Sequence, residues 1–307
     1  MTPMRTTLAS AMAASCVALA VAATADAPPH LANARLETRS AAGGLEPAFR
    51  SAVRAARAPA WIGYEVPTEG RHQMCCWDST DSVGLGCPGC RLEGHGGFTV
   101  SGDRDQRSDR TLSLEGDETI LVLFRAEQGR LERLRTYSAG CALDAGGLPV
   151  VWLTDVRPAE SVKLLRSLVA SGAPGAPEEK GGRRVEEPAL AALAFHADPS
   201  ALAALIGLAR QDASGHVRGQ ALFWLAQRAG SKVAGVITRA IEDDPETDVK
   251  KRAVFALSQL PHDEGVPLLI DTARKNRNPA VRKQAMFWLG QSNDPRALAF
   301  FEEVLKP

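Results

Sequence analysis

The chain has 307 residues, room for about two domains, and 45% of them are hydrophobic, as expected of a globular protein with real cores. Lys plus Arg and Asp plus Glu number 36 each, and residues Val185 to Pro307 are balanced in the same way. No net field is available to hold a polyanion, so nucleic-acid binding is not expected.

The amino terminus reads Met1-Thr2-Pro3-Met4-Arg5-Thr6-Thr7, then an apolar and small-residue run from Leu8 to Ala23, then the small-x-small pattern Ala23-Thr24-Ala25. This predicts a secretory signal peptide over residues 1–25, and hence a periplasmic or secreted protein. One alternative is an uncleaved anchor, for which the run is short and rich in Ala. Another is lipidation at Cys16, but the preceding Ala13-Ala14-Ser15 lacks the usual Leu. No later stretch is apolar for long enough to span a bilayer, so no transmembrane segment is expected in the mature chain. Removing the signal leaves Cys75, Cys76, Cys87, Cys90 and Cys141, an odd number, in a compartment that favours disulfides.

Residues 26–60 are Ala-, Arg- and Pro-rich and predict a poorly ordered or partly helical lead, with one short helix over Leu45 to Ala56. Residues 61–170 predict a cysteine-bearing α+β domain. Short extended runs occur at Trp61 to Val66 and Gln73 to Trp77, followed by a Gly-rich loop through Gly97. Thr119 to Arg125 and Leu131 to Tyr137 flank Glu127-Gln128-Gly129 and read as two strands joined by a tight loop. Leu148 to Val156 reads as a further strand. In Pro158 to Ala170 the residues Val162, Leu164, Leu165, Leu168 and Val169 follow a helical period. The expected unit is a small antiparallel sheet with a helix on it, followed by a linker over residues 171–184.

Beyond the linker the sequence repeats. Segments starting at Val185, Val217, Val249 and Val281 align without a gap at an offset of 32 residues. The fifth column is Ala189, Ala221, Ala253 and Ala285; the ninth is Leu193, Leu225, Leu257 and Leu289. A second helix in each repeat contributes Leu202, Ala234, Val266 and Leu298, then Leu205, Ile237, Leu269 and Phe301, then Ala209, Ile241, Ala273 and Leu305. Offsets of three and seven put these on one helical face. Asp198-Pro199 and Asp294-Pro295 supply an N-cap carboxylate and a Pro at the first helical position. One such pair cannot bury its stripe alone, so residues 185–307 predict an all-α superhelix of four stacked helix pairs.

The run Val-Arg-Lys-Gln-Ala-Met-Phe-Trp-Leu-Gly-Gln-Ser-Asn-Asp-Pro-Arg-Ala from Val281, with its three echoes, resembles the HEAT-repeat family in its bacterial, phycobilisome-lyase-type form. The segment Arg71 to Cys90 together with Cys141 also resembles the front half of exported bacterial HEAT proteins of unassigned function. The first resemblance implies an α-α superhelix whose second helices line the concave surface. It speaks for fold more than for function, because this architecture serves many binding tasks and few enzymes.

The candidate sites follow. Cys75, Cys76, Cys87, Cys90 and Cys141 are candidates for structural disulfides. A zinc site, including one using His95, or a thiol-redox pair at Cys87 and Cys90 are the alternatives. Redox chemistry there wants a following helix to lower the thiol pKa, and Gly94, Gly96 and Gly97 stand in its place. On the second helices Arg239, Asp271, Arg274 and the apolar Ile270 are candidates for contact with a protein partner. Arg239 with Glu242 and Asp271 with Arg274 also suit plain surface pairing. Phe223, Phe255 and Phe287, and beside them Trp224 and Trp288, suit packing between repeats. Phosphate-loop, Gly-x-Ser-x-Gly and His-Glu-x-x-His signatures are absent, and His196, His216 and His262 lack the following Glu of di-iron HEAT-like enzymes. No catalytic residue, cofactor or metal is therefore expected, and the expected function is an exported, non-catalytic scaffold for a protein partner.

Overall fold

The computed structural model describes residues 29, 31–72, 90–93, 117–141, 143–170 and 183–306. The front unit contains β1 (Leu31–Ala32), β2 (Arg35–Ser40), α1 (Leu45–Ala55), β3 (Ala60–His72), β4 (Cys90–Arg91), β5 (Asp117–Glu127), β6 (Arg130–Ser138), β7 (Leu143–Asp144), β8 (Pro149–Thr154) and α2 (Pro158–Ala170). The main sheet has the order β2-β8-β3-β5-β6, and β1-β7-β4 form a second, small sheet. The expected antiparallel sheet is thus corrected to a mixed one. β3-β5 and β5-β6 are antiparallel, but β8 runs parallel to both β2 and β3. Arg35–Ser40 and Leu45–Ala55, within the stretch read from sequence as a lead, supply an edge strand and a packed helix. The β5-β6 hairpin turns at Gln128-Gly129, both at positive φ, the geometry whose twist suits two flanking strands.

Alternation along the strands gives the main sheet two apolar faces. Ile62, Tyr64, Val66, Ile120, Val122 and Phe124 lie on one face with Leu45, Phe49, Ala52 and Val53 of α1, in a core that continues into the helical region. Phe49 meets Phe124 edge-on at 4.6 Å. Trp61, Leu121, Leu123, Val150 and Trp152 point the other way and form a second core with Leu92, Cys141 and Leu143. Gly63 sits where a Cβ would fall 2.4 Å from Leu123 and 2.9 Å from Trp152, so only glycine fits between those two side chains. α1 has no side-chain cap of its own. Glu160 of α2 accepts the Leu45 N–H at 3.0 Å instead. This bond, aided by Arg157, holds the Glu160 carboxyl below its usual pKa.

The helical region comprises α3 (Arg183–Phe195), α4 (Pro199–Gln211), α5 (Gly215–Ala229), a 3-10 helix (Gly230–Val233) leading into α6 (Ala234–Asp243), α7 (Thr247–Ser258), α8 (His262–Lys275), α9 (Pro279–Gln291) and α10 (Pro295–Leu305). The first helices start at residues 183, 215, 247 and 279, so the 32-residue offset of the sequence is the offset of the structure. The Val, Ala and Leu columns are fully buried in every repeat. Asp198 and Asp294 cap α4 and α10 as expected, each accepting a backbone N–H at 2.9 Å. The second repeat has Gly230 at this position, with φ +51, and there the 3-10 turn replaces the cap. Leu298 and Leu305, buried by pattern, are exposed, because among the described residues no further helix lies on α10.

The tail of β3 joins the two regions. Thr68 bridges His196, the Ala197 N–H donates to Pro67 O at 2.9 Å, and Arg228 of α5 reaches Glu69 at 2.8 Å. Arg228 also donates to the carbonyls of Leu193 and Ala194, closing the C-terminal end of α3. His196 is fully buried; its Nδ1 accepts the Asp198 N–H, and its Nε2 has no hydrogen-bond partner among the described residues. Burial pushes this imidazole down to about 4, with Asp198 opposing and Arg228 adding to the shift. The unfolded chain therefore takes up this proton first. The contribution of neutral His196 to stability is complete above pH 6.5 and declines as pH falls towards 4. His196→Gln should flatten the dependence of the urea midpoint on pH across that window. An unchanged slope would assign the proton uptake to other groups.

Candidate partner-binding surface

Cys75, Cys76 and Cys87 lie outside the described residues. Cys90 opens β4, which pairs in parallel with β7, Cys90 opposite Leu143. Cys141, two residues before β7, is 2% exposed and belongs to the second core. The fold thus brings the strand that Cys90 begins beside the segment that carries Cys141.

On the second helices Arg239, Asp271 and Arg274 are exposed and Ile270 is half-buried against the core. Their pairing differs from the three-residue pairs read from the sequence. Asp271 bonds Lys275 one turn later, and Arg274 reaches Glu303 of the next repeat at 2.5 Å while covering the Phe300 ring at 5.4 Å. Arg239 has no charged partner among the described residues. Exposed pairs of this kind leave the residues accessible at small energetic cost.

The most buried ion pair among the described residues sits at a turn between repeats. Arg218 has a side chain only 8% exposed and reaches Asp244 through Nε at 2.8 Å and through a second nitrogen at 3.0 Å. It also contacts Glu246 at 2.9 Å and the carbonyls of Asp212 and Ala213. Burial raises the Asp244 carboxyl, but the bonds from Arg218 and from the Glu246 N–H outweigh it and hold the pKa below the ordinary value. Arg282 makes the equivalent bonds to Asn276 O and Arg277 O, and Lys250 bonds Glu242 O. In each case a cation in the second column of the repeat satisfies carbonyls at the end of the preceding helix. The sequence reading missed this role, although the recurrence of Arg218, Lys250 and Arg282 at one column was its signal.

The first helices form the other surface. Successive first helices lie against one another, whereas successive second helices barely meet. Ala221, Ala253 and Ala285, all fully buried, permit this close approach of successive first helices. Phe223 stacks on Phe255, ring centroids 5.7 Å apart and planes 3° apart, and Phe255 meets Trp288 at 4.8 Å. These rings pack between repeats as their spacing implies. Phe287 meets Trp288 at 5.0 Å and is 53% exposed. Glu187, His216 and Arg252 form a polar chain across three repeats, with His216 Nε2 at 2.9 Å from Glu187 and Nδ1 at 3.2 Å from Arg252.

A family model described as HEAT repeats matches residues 233–307. No curated protein matches the chain. Among solved structures, the complex of CpcE and CpcF of phycocyanin lyase from Nostoc sp. PCC7120 is similar at 15% identity. It covers 48% of this chain and 89% of that one, with a TM-score of 0.36. The Escherichia coli protein YibA is similar at 22% identity, covering 48% of this chain and 54% of its own, with a TM-score of 0.33. Among the described residues no helix is long and apolar enough to cross a membrane. The C-terminal helical stretch is a HEAT-like solenoid, and its residues 233–307 match the HEAT-repeat family.

Proposed function

We propose that this chain is an exported, non-catalytic scaffold that binds a protein partner through its solenoid. The observation that carries this reading is the stack itself. Four helix pairs in strict register present long, continuous rows of exposed side chains on a rigid core, the arrangement by which repeat proteins bind extended surfaces. In the second-helix row, Arg239, Asp271 and Arg274 set orientation and on-rate, and Ile270 contributes apolar contact. Their mixed charge suits a partner of mixed charge.

Arg239→Glu combined with Arg274→Glu should weaken capture of a partner from the native envelope fraction and shift thermal stability little, since exposed pairs contribute about 0.2 to 1 kcal/mol. If capture is unaltered by every solenoid variant and is lost on mutation of the front unit, the solenoid is a spacer. For the front unit we propose a disulfide that joins Cys141 to one of the four preceding cysteines. The burial of Cys141 and the parallel pairing of β4 with β7 support this. Non-reducing peptide mapping should return Cys141 in a linked peptide pair; five alkylatable thiols in metal-free protein would refute it.

A further inference from the structure

Three arginines of the front unit converge on one apolar cavity. It has a volume of about 130 Å³ and lies between the second half of α1, the β5-β6 turn and α2. Phe49, Val53, Leu131, Leu164 and Leu168, all buried, supply its apolar lining. Arg50, Arg54 and Arg130, all exposed, supply its charge, and among the described residues no carboxylate lines it. Arg50 pairs with Glu46 at 2.7 Å, but Arg54 and Arg130 have no ion-pair partner among the described residues. Arg50 and Arg54 stand four positions apart on one helix face, a like-charge spacing that destabilises a helix. The Gly129 N–H donates to the Ala56 carbonyl at 2.9 Å, which ties the turn to the end of α1 and holds the backbone of Arg130 beside it.

We propose that this cavity binds a compact apolar carboxylate, with its body among Phe49, Leu131 and Leu168 and its head between Arg54 and Arg130. Size selects the body. A cavity of roughly 150 Å³ lined by Leu, Ile and Phe holds one benzene ring, so a body of about six carbons fits here. Charge selects the head. The two unpaired guanidiniums each offer a planar fork of donors, the match for a carboxylate. The Ser167 hydroxyl already donates to the Leu164 carbonyl at 2.8 Å, so the donors for the head come from the arginines. Three cations around one cavity, with a single counterion, repel one another, and a bound anion relieves that repulsion. The tie between turn and helix leaves little to be ordered on binding. This site lies in the front unit and does not depend on the solenoid's role.

The test is calorimetric titration of the full chain with phenylacetate, with phenylacetamide and acetate as controls. Phenylacetate should bind at one site with a Kd of about 1 mM or tighter, and both the uncharged amide and the bodiless acetate at least about tenfold more weakly. Arg54→Ala with Arg130→Ala should weaken phenylacetate at least about tenfold and leave the urea midpoint nearly unchanged, because both side chains are exposed. Arg239→Glu, in the solenoid, should have no effect. The natural carboxylate belongs either to a free small acid or to the carboxy-terminal residue of a chain, and acetyl-Gly-Phe separates the two. Binding tighter than that of phenylacetate identifies a chain terminus, and weaker binding a free acid. No saturation by about 10 mM, equal binding of the amide or of acetate, or equal binding by the Arg54/Arg130 variant would overturn the proposal.

Discussion

Replacing Arg218 by Ala is expected to destabilise the protein by about 3 to 5 kcal/mol, the usual loss when one member of a buried ion pair is removed. The reason lies in what remains. Asp244, with a side chain only 6% exposed, would be left charged and without its main partner, and the carbonyls of Asp212 and Ala213 would lose their donor. Urea unfolding at pH 7 measures the effect, and a loss under about 1 kcal/mol would mean that water replaces the guanidinium at no cost. The paired replacement Arg218→Met with Asp244→Leu should recover much of the loss, since it removes both charges from the buried site. The pH dependence has a definite sign. The Asp244 carboxyl is depressed in the folded state, so its contribution is present above the unfolded value of about 3.9 and is lost as pH falls below it.

Leu257→Ala is expected to cost about 2 to 5 kcal/mol through the cavity it leaves. Leu257 is 0% exposed and lies in an internal repeat, with neighbours on both sides that cannot collapse without shifting the whole stack. Its surroundings are tight at the backbone as well. A Cβ on Gly265 would come within 2.5 Å of the Leu257 carbonyl oxygen, so α8 already approaches α7 as closely as glycine permits. Leu305→Ala is the contrasting measurement. That side chain is 78% exposed, and its removal should change stability by no more than about 0.5 kcal/mol. Equal losses at the two positions would contradict the burial assigned to the ninth column of the repeat.

The repeat was legible in the sequence because each of its units solves the same local problem. A 32-residue recurrence of Val, Ala and Leu marks the buried stripe wherever it occurs, and Asp-Pro pairs mark helix starts through the backbone donors they satisfy or remove. The β5-β6 hairpin was legible for a similar reason, since Gly129 supplies a turn of positive φ between two alternating strands. Periodicity reports which face is buried, but it is silent about what covers that face. The parallel pairing of β8 with β2 and β3 joins segments far apart in the chain and leaves no local mark, so the mixed sheet emerged only in three dimensions. For Arg274 the sequence offered Asp271 nearby, and packing supplied Glu303 from the next repeat instead. Which row of helices packs the more closely was likewise decided in three dimensions, since successive first helices lie against one another and successive second helices barely meet. That spacing is set by side-chain volumes summed across neighbouring repeats, a quantity no single column of the sequence contains.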